Sequence, residues 1–234
     1  MEAVILVGGK GNRLKPYTNI LPKPLLPIGD DDDPIVGLTI KRMKKYGVEN
    51  FFLLTNYKAD TFKAILGNGS KYKVRIKYSE EKEPLGTAGP IQTLERKLKD
   101  DDFIVMNGDI LTDLDFKKLL SFHRKQNSVV TVAMKKEKIQ LLYGVVKTEG
   151  TRVIGWEEKP ELETNVSIGI YAINSKIFSY MKKKEKIDMP DLIKRIINEG
   201  GKISGFLFDG HWTDVGRIED YEKAAERELG QLNR

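Results

Sequence analysis

The sequence contains no cysteine, only two histidines and no long apolar run. Without cysteine, disulfide bonds and thiolate metal ligands are excluded, and His123 and His211 alone cannot form a multi-histidine metal centre. The apolar stretch at residues 3–7 is far too short to span a bilayer. It also lacks the basic region and cleavage site of a secretory signal. These absences favour a cytoplasmic protein.

The charge is basic but evenly spread. The chain has 40 Lys and Arg against 34 Asp and Glu, a formal net charge of +6. A basic surplus suits nucleic acid, anionic membranes or small phosphorylated ligands. The lysines are interspersed with acidic residues, however, and even the densest run, residues 182–186, contains Glu185. RNP-type, zinc-finger and clear helix-turn-helix signatures are absent. We therefore expect no nucleic-acid partner and no membrane partner.

Apolar strand-like runs alternate with helical stretches in the first half. Strands are predicted at residues 3–7, 51–55, 74–78 and 103–106, and helices at 35–46, 59–66, 87–98 and 114–126. The second half predicts strands at 129–134, 144–147, 153–157, 167–172 and 203–208, some antiparallel, and helices near 175–183, 189–199 and 218–229. The expected fold class is α/β, a Rossmann-like mixed, mostly parallel sheet flanked by helices. With no repeat or linker, a single domain over residues 1–234 is the simplest organisation.

Such a sheet binds ligands beyond the carboxyl ends of its strands, so the residues after each strand are informative. The first strand is followed by Gly8-Gly9-Lys10-Gly11-Asn12-Arg13. Glycines let backbone N–H groups approach a phosphate chain without an intervening Cβ. Arg13 adds a forked donor suited to phosphate oxygens. The segment lacks the GK[ST] ending of a Walker A loop and is not G-x-G-x-x-G, so a plain turn remains an alternative.

Two further segments are weak alone. The prolines of Pro22-Lys23-Pro24 stiffen the backbone, which would present Lys23 as a phosphate partner from a rigid loop. Asn107-Gly108-Asp109 ends another predicted strand, where a carboxylate can hold Mg²⁺ against a triphosphate. A proline-rich linker and a common turn are the alternative interpretations.

Taken together, these segments resemble the signature of the sugar-1-phosphate nucleotidyltransferase family. The likeness continues in chain order through residues 83–89, 107–109, 158–160, 165–171 and 212–216. It implies a fold of the nucleotide-diphospho-sugar transferase type. Thr87 is also a candidate cap for the helix predicted after it. The roles implied by the resemblance are catalysis by Arg13 and Lys23, nucleotide binding by Gly8, Gly9, Gly11, Asn12, Glu83, Gly86 and Thr87, sugar-phosphate binding by Glu158, Lys159 and Asn165, and Mg²⁺ binding by Asp109 and Asp214.

The resemblance implies transfer of a nucleotidyl group from a nucleoside triphosphate to a sugar 1-phosphate. The sugar's phosphate oxygen attacks the α-phosphorus and pyrophosphate leaves. That oxygen is already anionic, so no serine, cysteine or histidine nucleophile is required. Mannose- and heptose-phosphate guanylyltransferases look most similar, and Glu83 could accept hydrogen bonds from guanine N1–H and N2–H₂. We therefore favour GTP with a mannose- or heptose-type sugar 1-phosphate.

Other functions remain open. One is uridylyl or thymidylyl transfer to glucose 1-phosphate or an amino-sugar 1-phosphate, and another is cytidylyl transfer to phosphocholine. A non-catalytic nucleotide-sugar sensor would be favoured by loss of Arg13, Lys23 or either metal carboxylate, yet all are present. The glycine pattern argues against a dinucleotide oxidoreductase. The sequence leaves the oligomeric state open, and a homo-oligomer is one possibility. We interpret the run from Asp30 to Asp33 as a solvated loop.

Overall fold

The computed structural model describes residues 1–9, 11–28 and 33–232. A bilayer-crossing helix is absent from that part of the chain. The described strands are β1 (Glu2–Leu6), β2 (Pro27–Ile28), β3 (Asp33–Pro34), β4 (Asn50–Thr55), β5 (Arg75–Glu80), β6 (Asp102–Asn107), β7 (Ile110–Thr112), β8 (Val130–Gln140), β9 (Val145–Glu149), β10 (Arg152–Glu157), β11 (Glu161–Asn174), β12 (Ile203–Leu207) and β13 (Trp212–Asp214). The described α-helices are α1 (Tyr17–Ile20), α2 (Ile35–Lys45), α3 (Ala59–Leu66), α4 (Phe116–Gln126), α5 (Met189–Asn198) and α6 (Ile218–Leu232). Short 3₁₀ helices cover Asn12–Leu14, Lys23–Leu25, Ser70–Tyr72, Gly89–Leu94 and Ser175–Tyr180.

Seven of the described strands form one sheet in the order β12-β8-β11-β6-β1-β4-β5. Strands β6, β1, β4 and β5 are mutually parallel, and β12 is parallel to β8. Strand β11 runs antiparallel to both of its neighbours, β6 and β8. The predicted mixed, mostly parallel α/β sheet is confirmed.

Both faces of the central strands are buried. On one face Ile5, Leu53 and Met106 pack against apolar residues of α2 and α4. On the other, Val4 and Leu54 pack against residues of α5 and of the 3₁₀ helix at Gly89–Leu94. A strand covered on both faces needs a near-continuous apolar run, which is the pattern of β1, β4 and β6. The carboxyl ends of these strands are the edge that remains for a ligand.

The α-helices predicted at residues 87–98 and 175–183 are wrong, because both segments form shorter 3₁₀ helices. In the first, Pro90 supplies no N–H to the first turn. Ala88 and Gly89 donate their N–H groups to the carbonyl of Ile187, at 3.0 and 3.1 Å. The start of this segment is therefore held by a distant loop, and 3₁₀ hydrogen bonds follow it, such as that from the Ile91 N–H to the Ala88 carbonyl at 2.9 Å.

Strands β8 and β11 extend well beyond their predicted bounds, to 11 and 14 residues. Their added lengths pair with each other from Glu161 opposite Gln140 to Ser167 opposite Met134. These lengths are mostly exposed and polar, so they lack the apolar signal of a buried strand. The hairpin β9–β10 forms a separate two-stranded sheet. The antiparallel pairs β7–β13 and β2–β3 were not predicted, since strands of two or three residues carry no readable period.

Of the four aspartates at residues 30–33, the structure describes only Asp33. Asp30, Asp31 and Asp32 lie outside the described residues, whereas Asp33 begins β3 and is 2% exposed. Its carboxylate forms ion pairs with Lys41 and, at 3.4 Å, with Lys71. For Asp33 the interpretation as a solvated loop residue is wrong, because cations from two other elements accompany its carboxylate into the interior.

We predict that Asp33→Asn lowers the free energy of unfolding by about 1–2 kcal/mol, the scale of a hydrogen bond to a charged group discounted for half-exposed lysines. Chemical denaturation measures this change. Asp60→Asn is the matched control, because the Asp60 side chain is 97% exposed in its pair with Lys63. Equal unfolding midpoints for the two variants would contradict a structural role for Asp33.

Candidate functional site

A cavity of about 520 Å³ lies where β1, β4 and β6 end. Parallel strands place their carboxyl ends at one edge, so residues distant in sequence meet there. Eight of the predicted site residues line it: Gly8, Gly9, Gly11, Arg13, Lys23, Gly86, Thr87 and Asp109. Asn56, Glu81, Asn107 and Gly216 also line it and were not predicted.

The glycines of the first turn are needed for different structural reasons. Gly11 has a φ of +62°, and a Cβ there would lie 2.9 Å from Cγ2 of Thr18 and 3.1 Å from Cβ of Lys23. Thr18 also donates a hydrogen bond to the Gly11 carbonyl at 3.0 Å. A Cβ on Gly9, by contrast, would meet nothing within 4 Å among the described residues beyond its chain neighbours. Gly11 is thus required by the fold of the turn, whereas the space beside Gly9 faces the cavity.

Lys23 lies between two carboxylates that are distant from it and from each other in the sequence. The residue is 8% exposed, and its ammonium group contacts Asp109 and lies 3.7 Å from Oδ1 of Asp214. The β7–β13 pairing brings Asp214 to this place, and the Val215 N–H donates to the Asp109 carbonyl at 3.0 Å. Burial raises the pKa of Asp214, and the negative charge of Asp109 raises it further. The predicted metal carboxylates and the predicted catalytic lysine therefore form one cluster.

This cluster suits a hard divalent cation completed by a ligand. Oδ1 of Asp109 is buried and has no hydrogen-bond partner among the described residues. Within the described ranges, no group of three or more His, Cys, Asp and Glu side chains is arranged to hold a metal. Mg²⁺ is usually bound by one or two carboxylates together with substrate phosphate oxygens. Asp109 and Asp214 match that donor set.

The second glycine segment is attached to the start of α5. A Cβ on Gly86, whose φ is +81°, would lie 2.6 Å from the Ile187 carbonyl oxygen. Thr87 donates its N–H to Oδ1 of Asp188 at 2.9 Å, and its hydroxyl accepts the Met189 N–H at 2.8 Å. Thr87 therefore caps α5, a hundred residues later, and not the helix expected directly after it.

Glu81, not Glu83, faces the cavity. Glu83 is exposed and lies outside the cavity lining. Oε2 of Glu81 accepts the Leu85 N–H at 2.9 Å, and burial raises the pKa of Glu81. Glu81 directly follows the last residue of β5. The strand-end rule alone would have found it, because the first residue after a parallel strand lies at the ligand edge.

The same rule identifies Asn56 and Asn107, two of the other missed residues. Asn56 directly follows β4, and its side-chain amide donates to the Glu81 carbonyl at 3.3 Å. Asn107 is the last residue of β6. Its side chain fills the space beside Gly169, where a Cβ would lie 2.7 Å from the Asn107 amide nitrogen. Both amides present hydrogen-bonding groups at the cavity wall.

The three predicted sugar-phosphate residues lie outside the cavity lining. Glu158 accepts a hydrogen bond from Trp156 Nε1 at 3.1 Å, beside the β9–β10 hairpin. Lys159 is exposed with a φ of +46°, and Asn165 is exposed in β11 opposite Lys136.

The last predicted site residue is Asn12, and β11 has an irregular pairing close to the predicted Asn165. Asn12 begins a 3₁₀ helix, but its side chain is outside the description. In β11 the pairing register shifts between Ser167 and Tyr171. The Gly169 N–H donates to Oγ of Ser167 at 3.4 Å. The side chain that contacts this glycine is therefore that of Ser167, two residues before it, and not the predicted Asn165.

Comparison with known proteins agrees with this geometry. The family model described as nucleotidyl transferase matches residues 2–231. The chain therefore belongs to the nucleotidyl transferase family, and the family resemblance of its motifs is confirmed.

Three relatives illustrate the match. The D-glycero-alpha-D-manno-heptose 1-phosphate guanylyltransferase of Aneurinibacillus thermoaerophilus is 36% identical over 98% of both chains. The mannose-1-phosphate guanylyltransferase of Mycobacterium tuberculosis is 33% identical over 96% of this chain, which spans 64% of that protein. The structure of HddC from Yersinia pseudotuberculosis complexed with GMP-PN superposes with a TM-score of 0.75 at 25% identity, covering 97% of this chain and 98% of that one.

We predict that Thr87→Val destabilises the protein by about 1 kcal/mol, because the Met189 N–H loses its capping acceptor. Thermal unfolding measures this loss. Thr87→Ser keeps the hydroxyl and should retain most of the stability. A Thr87→Val variant that unfolds like the wild type, yet binds nucleotide more weakly, would instead assign the hydroxyl to the nucleotide.

Proposed function

We propose that the chain transfers a guanylyl group from GTP to a mannose- or heptose-type sugar 1-phosphate, giving a GDP-sugar and pyrophosphate. The observation that carries this proposal is the cluster of Lys23 with Asp109 and Asp214 at the edge of the cavity lined by the glycine turn. The names of the relatives support guanine as the base. Arg13 lines the same cavity, so the residues whose loss would favour a sensor are together at one site.

The main obstacle to the reaction is repulsion between two anions. The phosphate oxygen of the sugar is already charged, and it attacks the α-phosphorus in line with the departing pyrophosphate. Arg13 and Lys23 bring positive charge to the cavity, which aligns the phosphates and stabilises the charge that grows on the leaving group. When bound by Asp109 and Asp214, Mg²⁺ would add positive charge at the phosphate oxygens.

Glu81 is the residue that we assign to the base. Guanine presents N1–H and N2–H₂ side by side, and a carboxylate accepts from both donors. Glu81 lines the cavity beside Gly8. A Cβ on Gly8 would lie 3.3 Å from Oε1 of Glu81. We therefore assign to Glu81 the hydrogen bonds with guanine that were expected of Glu83, two residues later in the chain.

We assign the sugar phosphate to the residues beside the β9–β10 hairpin. Lys159 would pair with its phosphate, and Glu158 with its hydroxyls, as the family resemblance implies. Asn165 was expected to share this task, but Ser167 stands at the bulge beside Gly169. A serine hydroxyl both donates and accepts, so it can contact a sugar hydroxyl from that position.

The test is a pyrophosphate-release screen of four nucleoside triphosphates against mannose, heptose, glucose and amino-sugar 1-phosphates. We expect the fastest release with GTP and a mannose or heptose 1-phosphate. Asp109→Asn and Asp214→Asn should each lower kcat by roughly a hundredfold or more, the scale of misplaced reacting groups. Preference for UTP or dTTP with glucose 1-phosphate would support the uridylyl or thymidylyl alternative. Nucleotide-sugar binding without release from any pair would support a sensor.

We predict that Glu81→Gln lowers kcat/KM for GTP by about tenfold to a hundredfold, the scale of losing one hydrogen bond to a charged acceptor. An amide offers one acceptor and one donor, which suits uracil better than guanine, so the ratio of UTP to GTP use should rise. Glu83→Gln is the matched control and should leave both values unchanged. The base assignment fails if Glu83→Gln has the larger effect.

A further inference from the structure

A second cavity, of about 400 Å³, adjoins the first. Both cavities are lined by Arg13 and Gly216, so they meet at these two residues. The second cavity carries two further cations that no motif singled out. Its charged lining consists of Arg13, Arg217, Lys223, Asp214 and Asp220.

The turn after β13 brings these side chains together. A Cβ on Gly216 would lie 3.6 Å from Nη1 of Arg13 and 3.7 Å from Oδ1 of Asp214. Gly216 therefore lies directly between the glycine turn and the cluster of Lys23 with the two aspartates. Arg217 comes next and leads into α6, which carries Lys223. Arg217 and Lys223 thus belong to the same chain segment that positions Asp214.

The charges favour an anion. Three cations face two carboxylates, and both carboxylates already have partners. Asp214 is near the ammonium group of Lys23, at 3.7 Å. Asp220 accepts the Arg217 backbone N–H at 3.0 Å, which holds the first turn of α6 and leaves the Arg217 guanidinium for the cavity. A guanidinium and an ammonium presented together suit an oligophosphate.

The geometry of the displacement indicates which anion the second cavity binds. In an in-line displacement the attacking and leaving oxygens lie on opposite sides of the α-phosphorus. The proposed function assigns Arg13 to the charge that grows on the leaving group, and Arg13 lines both cavities, so the leaving group departs toward the second cavity. From the shared position of Arg13 we infer that Arg217 and Lys223 bind the β- and γ-phosphates and the pyrophosphate that they become. This inference rests on the proposed function and adds two binding residues to it.

The experiment uses the full chain in the reverse direction, with GDP-mannose, Mg²⁺ and pyrophosphate. We expect Arg217→Ala and Lys223→Ala each to raise the KM for pyrophosphate at least about tenfold, the scale of one charge-assisted hydrogen bond. The KM for GDP-mannose should stay within about twofold, since a merely structural defect would change both. Arg217→Lys should recover part of the loss, because it keeps the charge but not the fork.

Arg227→Ala is the matched control, because Arg227 lies one turn further along α6 and lines a different cavity. An unchanged pyrophosphate KM in both variants, in an active enzyme, would overturn the inference. So would a rise in the KM for the sugar 1-phosphate alone in the forward reaction. Calorimetric titration with Mg²⁺–pyrophosphate is independent of turnover. If no nucleotide-sugar is cleaved, the proposed function fails. Equal binding of Mg²⁺–pyrophosphate by the wild type and both variants in the titration would separately refute the inference.

Discussion

The ion cluster of Lys23 with Asp109 and Asp214 is the interaction on which the rest of the site depends. It joins three chain segments that are spread over nearly two hundred residues of the sequence. Two carboxylates in a half-buried place repel each other, and the raised pKa of Asp214 reflects both its burial and that repulsion. The ammonium group of Lys23 lies beside both carboxylates and offsets part of this repulsion.

The surrounding backbone serves this cluster. The proline-flanked 3₁₀ helix holds Lys23, and Gly11 allows the preceding turn to approach within contact distance of it. The β7–β13 pair is only three residues long, yet it aligns Asp214 with Ile110, the residue after Asp109. A short antiparallel pair would be marginal alone, and here the packing of Leu111 and Val215 in a common apolar cluster supports it.

The opposite wall of the cavity depends on a second long-range connection. The segment around Gly86 and Thr87 is hydrogen-bonded to Ile187, Asp188 and Met189, about a hundred residues later in the chain. Because this wall of the cavity is attached to α5, helix capping and the shape of the cavity share the same hydrogen bonds. This is why Thr87 belongs at once to the cavity lining and to the stability of a helix.

The sequence by itself determined the fold class and the ligand edge. Apolar runs in β1, β4 and β6 need cover on both faces, so they specify a parallel sheet, and glycines, Lys23 and Asp109 after such strands mark the edge where a ligand binds. These are local properties, because they depend on the period of burial and on the residue at each strand's end. The family motifs extended the prediction to Asp214, which no local pattern would have placed beside Asp109.

Only the tertiary structure decided which side chains face the cavity. Glu81 and Glu83 are equivalent by composition, and the exact end of β5 directs one inward and leaves the other exposed. Asp33 and its neighbours are likewise equivalent in sequence, but cations from α2 and from Lys71 allow Asp33 to be buried. Arg217 and Lys223 gain their place only because the turn at Gly216 meets Arg13. In each case the deciding partner is remote in the chain, and a one-dimensional pattern carries no information about it.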